Sequence, residues 1–130
     1  MKYLLDTCAL VFLANSPQRL SQQIRDELDD AENTRHILLA SAWEVACAAR
    51  RRRLALNAPW EQWFLERVAQ FRCEVLPVSF EQIVAANALP DPIHEDPIDR
   101  LIIAAARIHA MTVVTTDNRI RMYPHVHSAD

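Results

Sequence analysis

Short, unbroken apolar runs alternate with longer amphipathic segments throughout this sequence, and each run has the length of a buried strand. The runs predict strands at residues 2–5, 37–39, 74–78 and 111–115, with a short edge strand at 125–127. Strands that read as continuous apolar runs are typically covered on both faces. The alternation therefore predicts an α/β sandwich with a largely parallel sheet.

The composition, with 51% hydrophobic and 24% charged residues, is that of an ordinary folded protein. We expect residues 1–130 to form a single domain. No apolar run is long enough to cross a bilayer and no signal-like segment is visible, so we expect a cytoplasmic protein with no membrane partner. The net charge of −3 argues against a uniformly basic nucleic-acid-binding surface.

Two further features exclude other classes of site. Glycine is absent from the chain, which excludes the glycine-rich phosphate loops of nucleotide-binding proteins. The three cysteines are odd in number and widely separated, so they predict neither a disulfide framework nor a zinc site.

Capping patterns predict where several helices begin. Two serines have the spacing of a capping box, an aspartate precedes a proline at a first helical position, and Pro59 sits at another such position. These signals are Ser41 with Glu44, Ser79 with Gln82, and Asp96 before Pro97. The helix after Asp96 is predicted to run to residue 109 or 110.

Four acidic residues open, interrupt or close apolar runs, where acids are rare. They are Asp6, Glu44, Asp99 and Asp117. Asp6 and Asp117 follow predicted strands, and Glu44 and Asp99 lie in the first turns of predicted helices. These positions share one edge of a parallel sheet, the edge where ligand sites form.

Each acid also has a purely structural interpretation. Glu44 fits a capping box, Asp99 lies in the first turn of its helix, Asp117 fits the cap of a last short helix, and Asp6 can bond to backbone amides. Together, four converging carboxylates would repel and raise one another's pKa values unless a cation neutralised them. An all-oxygen ligand set suits Mg²⁺ or Mn²⁺ rather than zinc.

The order of these motifs resembles that of the PIN domain family, and most closely the VapC-type toxins of type II toxin–antitoxin pairs. The motifs are Asp6-Thr7, Ser41-Ala42-Trp43-Glu44, Asp96-Pro97-Ile98-Asp99-Arg100-Leu101-Ile102 and Thr115-Thr116-Asp117. The resemblance covers essentially the whole chain. It implies a PIN-like three-layer α/β/α sandwich with a central, mainly parallel sheet.

The resemblance further implies a Mg²⁺- or Mn²⁺-dependent endoribonuclease that cleaves RNA phosphodiester bonds and inhibits translation and growth as a toxin. Its catalytic cluster maps to the four acids, of which Asp6, Asp99 and Asp117 are expected as direct ligands and Glu44 as a direct or water-mediated one. A homodimer and a cognate small antitoxin are the implied protein partners.

Four neighbouring residues are candidates for support of this cluster. Asp96 is interpreted mainly as a helix cap, although it can also reach the metal through water. Thr7, Thr116 and Asn118 flank the acids, and Thr116 is the first choice as a hydrogen-bond donor to them.

Other interpretations remain open or are disfavoured. A catalytically inactive PIN-fold module that binds a protein partner remains the alternative function. A phosphatase needs a second aspartate where Cys8 stands, and a phospho-accepting receiver needs a late lysine, whereas Lys2 is the only lysine. The basic run at residues 50–53 is interpreted as a solvated helix end rather than an RNA flank, and the aromatic residues at 60–64 as packing rather than base-stacking groups.

Overall fold

A five-stranded sheet forms the centre of the computed structural model, which describes residues 1–130. Its strands are β1 Lys2–Leu5, β2 Thr34–Leu38, β3 Cys73–Leu76, β4 Thr112–Val114 and β5 Ser128–Ala129. Their order across the sheet is β3-β2-β1-β4-β5, and every neighbouring pair is parallel. The predicted α/β class with a parallel sheet is confirmed.

Seven α-helices cover the two faces of the sheet. They are α1 Thr7–Asn15, α2 Gln22–Asp29, α3 Ala40–Arg50, α4 Trp60–Gln70, α5 Phe80–Asn87, α6 Pro97–His109 and α7 Asn118–Arg121. Leu4 belongs to a buried cluster with Ile103 of α6, and Leu5 to another with Ile24 of α2. Because successive strand residues face opposite layers, these clusters confirm a three-layer α/β/α sandwich.

Two of the three aromatic residues at 60–64 pack into the core, as the helical spacing predicted, whereas Trp60 is 38% exposed. Trp63 and Phe64 are only 2% and 3% exposed and share a cluster with Leu10 and Ile37. None of the helices is both long enough and apolar enough to span a lipid bilayer.

The strand order creates a crevice at the carboxyl ends of β1 and β4. The chain moves from β1 outward through β2 to β3, and then returns to place β4 on the other side of β1. Connections that leave neighbouring strands in opposite directions open a gap between them, and ligands of parallel α/β proteins bind in that gap.

Two of the predicted helix starts are confirmed, and two other local predictions are shifted by a few residues. Ser79 and Gln82 form both bonds of the predicted capping box, and Asp96 caps α6. Pro59 lies one residue before α4, at its cap, and the edge strand is formed by residues 128–129 instead of 125–127. The edge strand moves because the backbone N–H groups of Val113 and Thr115 donate to the carbonyls of His127 and Ala129.

The packing of α6 on the sheet gives a stability prediction. Ile103 is fully buried, so Ile103→Ala should lower the free energy of unfolding by about 2–5 kcal/mol through lost contacts and a residual cavity. Ile108→Ala on the same helix, where the side chain is 37% exposed, should change it by less than about 1 kcal/mol. Urea denaturation measures both, and equal midpoints for the two variants would contradict the assigned core.

Candidate active site

The sheet places Asp6 and Asp117 close to each other. Leu5 pairs with Val114 at the ends of β1 and β4, and the backbone N–H of Asp6 donates to the carbonyl of Val114 at 3.1 Å. Asp6 is the residue after β1, and Asp117 follows β4 by three positions. Both acids therefore lie at the crevice between the two strands.

Asp6 is buried, with only 4% of its surface exposed. It is the N-cap of α1, and its Oδ1 accepts the backbone N–H of Ala9 at 2.7 Å. Thr115 is fully buried beside it; its Oγ1 accepts the N–H of Asp117 and its hydroxyl hydrogen-bonds to Asp6. Asp6 thus has a structural role at the helix start while its carboxylate remains at the crevice.

The start of α6 supplies a third acid. Asp96 caps the helix, because its Oδ1 accepts the N–H groups of Ile98 and Asp99 at 3.0 Å. Asp99 is buried, and its Oδ2 receives Nε2 of His94 at 2.8 Å. The other ring nitrogen of His94 is buried without a hydrogen-bond partner. The interpretation of Asp96 as a cap is supported, and Asp99 has a partner that its own helix does not supply.

Glu44 lies one turn into α3, and its capping-box interpretation is wrong. The helix begins at Ala40, so Ser41 is a buried helical residue and makes no cap. The Oε1 of Glu44 instead accepts the hydroxyl of Thr7 at 2.5 Å, and that hydroxyl lies 3.0 Å from the Ser41 hydroxyl. Thr7 on α1 therefore ties Glu44 to the crevice.

Asp117 caps the short helix α7 and pairs with Arg119. Its Oδ1 accepts the backbone N–H of Arg119 at 2.8 Å, and its Oδ2 accepts Nη2 of the same arginine at 2.8 Å. Both expected features of this position, a cap and an acid at the sheet edge, are present together.

Three of the four acids hold their protons more tightly than usual. Burial is the largest cause, and it raises the pKa of Asp6 to about 6. Burial also raises the pKa values of Glu44 and Asp99, and the neighbouring carboxylates add to all three shifts. Asp117 differs, since its hydrogen bond with Arg119 lowers its pKa.

The pKa of the Cys8 thiol is also affected by all four acids. Burial, with smaller contributions from the charges of all four carboxylates, raises its pKa to about 11. The Cys8 side chain on α1 therefore lies within electrostatic range of all four acids, which are Asp6, Glu44, Asp99 and Asp117.

The acids share one region, but their side chains are engaged with hydrogen-bonding partners. No group of three or more His, Cys, Asp or Glu side chains is arranged to hold a metal ion. Thr7, His94 and Arg119 each hold one carboxylate. An all-carboxylate donor set fits a hard divalent cation. Binding one would require the side chains to turn from these partners.

Several contacts of the site were not identified from the sequence. Thr115, and not Thr116, hydrogen-bonds to Asp6, because Thr115 points inward at the strand end. Asn118 is exposed and makes no side-chain bond to an acid. His94 precedes α6 and contacts Asp99, five residues later, and no sequence pattern indicates that contact.

A groove of about 660 Å³ lies between α1 and α3, and of the four acids only Glu44 lines it. Thr7, Glu44 and Asp96 line one part of it, and Arg51 and Arg53 line another. Two members of the exposed basic run at the end of α3 therefore line the same groove as Glu44.

Comparison with known proteins agrees with this architecture. Residues 3–126 match the PIN domain. The chain is 34% identical to Ribonuclease VapC22 of Mycobacterium tuberculosis (strain ATCC 25618 / H37Rv) over 125 residues, which are 94% of this chain and 92% of that protein.

Solved structures share the fold at lower sequence identity. VapBC2 from Rickettsia felis, bound to a DNA fragment from its promoter, superposes with a TM-score of 0.71 at 18% identity, covering 98% of this chain and 97% of that one. FitAcB from Neisseria gonorrhoeae superposes with a TM-score of 0.67 at 21% identity, covering 98% of this chain and 96% of that one. The fold, the match over nearly the whole sequence and the curated relative together show that this chain belongs to the PIN domain family.

Proposed function

We propose that this protein is a Mg²⁺- or Mn²⁺-dependent endoribonuclease and the toxin of a type II toxin–antitoxin pair. The observation that carries the proposal is the convergence of four carboxylates, Asp6, Glu44, Asp99 and Asp117, at the crevice between β1 and β4. Three of them have raised pKa values. Such a cluster is stabilised by a divalent cation and is suited to phosphodiester chemistry.

The proposed roles follow from the contacts of each residue. Asp6, Asp99 and Asp117 would hold the cation directly, and Glu44 directly or through water, with Thr7 and Thr115 orienting Glu44 and Asp6. When bound, the cation supplies a water of lowered pKa and positive charge at the reacting phosphate. Asp96 maintains the first turn of α6 and so fixes the position of Asp99.

The groove supports RNA as the substrate. Arg51 and Arg53 lie along it and can contact phosphates of the strand that flanks the cleaved bond. This differs from the solvated-end interpretation of the basic run, and the presence of Thr7 and Glu44 in the same groove favours the RNA role.

The partners are proposed from the relatives. The curated relative is named a ribonuclease, and the structural neighbours are VapBC and FitAcB proteins. We propose a cognate small antitoxin, a homodimer and action in the cytoplasm, where inhibition of translation would arrest growth. Exposed apolar residues such as Phe80, Val84 and Trp43 are available for protein contacts.

The alternative function is a catalytically inactive PIN-fold module that binds a protein partner. Under that alternative, the four carboxylates would serve only as caps and hydrogen-bond acceptors. A calorimetric titration distinguishes the two, because an inactive module of this kind needs no Mn²⁺ binding.

Asp99→Asn should keep the fold and abolish activity. The amide can still accept from His94, but it removes a charged metal ligand. We expect RNA cleavage in Mn²⁺ to fall by about two orders of magnitude or more. The matched control is Asp29→Asn on the exposed end of α2, which should cleave at the wild-type rate. Full activity of Asp99→Asn, or of the wild type in excess EDTA, would rule out the proposal.

The raised pKa of Asp6 predicts a pH-dependent gain in stability for Asp6→Asn. Its pKa is about 6 in the fold against 3.8 normally, so ionisation destabilises the fold as pH rises from about 4 through about 6. Asparagine also caps helices but cannot ionise. In excess EDTA, Asp6→Asn should be more stable at pH 7.5 by up to about 3 kcal/mol.

Thermal or urea unfolding across pH tests this prediction. The advantage of Asp6→Asn should disappear below about pH 4, where the wild-type carboxyl is protonated. Equal stability of the two proteins at pH 7.5 would show that the Asp6 carboxylate is not strained by its neighbours.

Expression in bacteria tests the toxin role. The chain alone should arrest growth, whereas co-expression with the small open reading frame next to its gene should restore growth and yield a copurifying antitoxin. Asp99→Asn expressed alone provides the control and should permit growth. Normal growth with the wild-type chain alone, and no copurifying protein, would contradict the toxin–antitoxin proposal.

A further inference from the structure

Arg119 contacts two of the carboxylates that we propose as metal ligands. Its Nη2 lies 2.8 Å from Oδ2 of Asp117, and its Nε lies 3.2 Å from Oδ1 of the same residue. The Nη2 atom is also 3.7 Å from Oδ2 of Asp99. A two-point contact between a guanidinium and a carboxylate is strong and directional. Arg119 therefore links the acid after β4 to the acid at the start of α6.

No other arginine or lysine forms an ion pair with the acids of this edge. Arg100 pairs with Glu95 and donates to the backbone carbonyls of Ala86 and His94. Arg121, two residues further along α7, pairs with Asp130. Arg119 is thus the one permanent cation of the chain that neutralises part of the cluster.

A divalent cation and Arg119 need the same oxygens. Oδ1 of Asp117 receives both the backbone N–H and the Nε of Arg119, and Oδ2 receives Nη2. A carboxylate oxygen has about two lone-pair sites, so these bonds leave little capacity for a metal. Two cations at one carboxylate also repel each other. Metal ligation by Asp117 should therefore weaken or displace the contact with Arg119.

Once displaced, Arg119 would remain beside the reacting phosphate. Its side chain is 58% exposed, so it is free to turn without disturbing the core. The planar guanidinium donates two parallel hydrogen bonds to phosphate as readily as to carboxylate. Bound RNA would present phosphate groups at this edge, next to the released guanidinium.

We propose that Arg119 exchanges partners during the reaction cycle, pairing with Asp117 and Asp99 when they carry no metal and with an RNA phosphate when they do. The inference rests on the proposed metal-dependent ribonuclease activity and deepens it. It gives Arg119 two opposite effects, because the residue weakens metal binding but strengthens substrate binding.

The test uses Arg119→Gln in the full chain, with Arg121→Gln as the matched control on the same helix. Mn²⁺ affinity is measured by calorimetry without RNA, and KM and kcat are measured at saturating Mn²⁺ with a fluorogenic single-stranded RNA of mixed sequence. We expect Arg119→Gln to bind Mn²⁺ about threefold more tightly, the effect of releasing an exposed ion pair. Its KM should rise about tenfold, with a smaller change in kcat.

Two further variants separate the effect of Arg119 from a general loss of positive charge on α7. Arg121→Gln should leave Mn²⁺ affinity and KM at wild-type values. Arg119→Lys keeps the charge but loses the two-point contact, so it should fall between the wild type and Arg119→Gln in both measurements.

The possible failures are distinguishable. Unchanged or weaker Mn²⁺ binding by Arg119→Gln would mean that Arg119 only holds the Asp117 side chain in position. It would overturn the proposed exchange of partners. An unchanged KM would overturn the contact with phosphate. Absence of Mn²⁺ binding by the wild-type chain would instead overturn the proposed function itself, together with this inference.

Discussion

The pairing of β1 with β4 is the constraint on which the site depends. It joins Leu5 to Val114, so the acids that follow these strands meet at one crevice. The helices that carry Glu44 and Asp99 begin at the same edge, because α3 directly follows the end of β2 and α6 ends at the opposite edge, where β4 begins. The fold therefore concentrates negative charge in a partly desolvated place, where repulsion is stronger than in water.

Each carboxylate has a partner that offsets part of this repulsion. Thr7 donates to Glu44, His94 to Asp99, and Arg119 to Asp117, while Asp6 accepts from Thr115 and a backbone amide. The hydrogen bonds to Asp6 and Glu44 only partly oppose the rise in their pKa values. The pKa of Asp99 also stays raised despite its contact with His94. Of the four acids, only Asp117, which contacts Arg119, has a pKa below its usual value. A divalent cation would neutralise the remaining repulsion between the carboxylates. The electrostatics of the fold are in this way connected to the proposed catalysis.

Features set by neighbouring residues could be predicted from the sequence. The capping box formed by Ser79 and Gln82 and the cap at Asp96 depend on residues three positions apart or fewer, and both predictions were correct. The box at Ser41 failed although its spacing was the same. Helix α3 begins at Ala40, two residues earlier than a cap at Ser41 would require, and the Ser41 hydroxyl lies beside that of Thr7 instead of capping its own helix.

The sequence by itself determined the alternation of strands and helices and the placement of four acids at strand ends and helix starts. Those features follow from local apolar periodicity and from the ends of apolar runs. The tertiary structure alone decided that β4 lies beside β1, that Thr115 and not Thr116 supports Asp6, and that Arg119 holds Asp117 and reaches Asp99. These contacts depend on the relative positions of separate elements and on side-chain direction, and local spacing encodes neither.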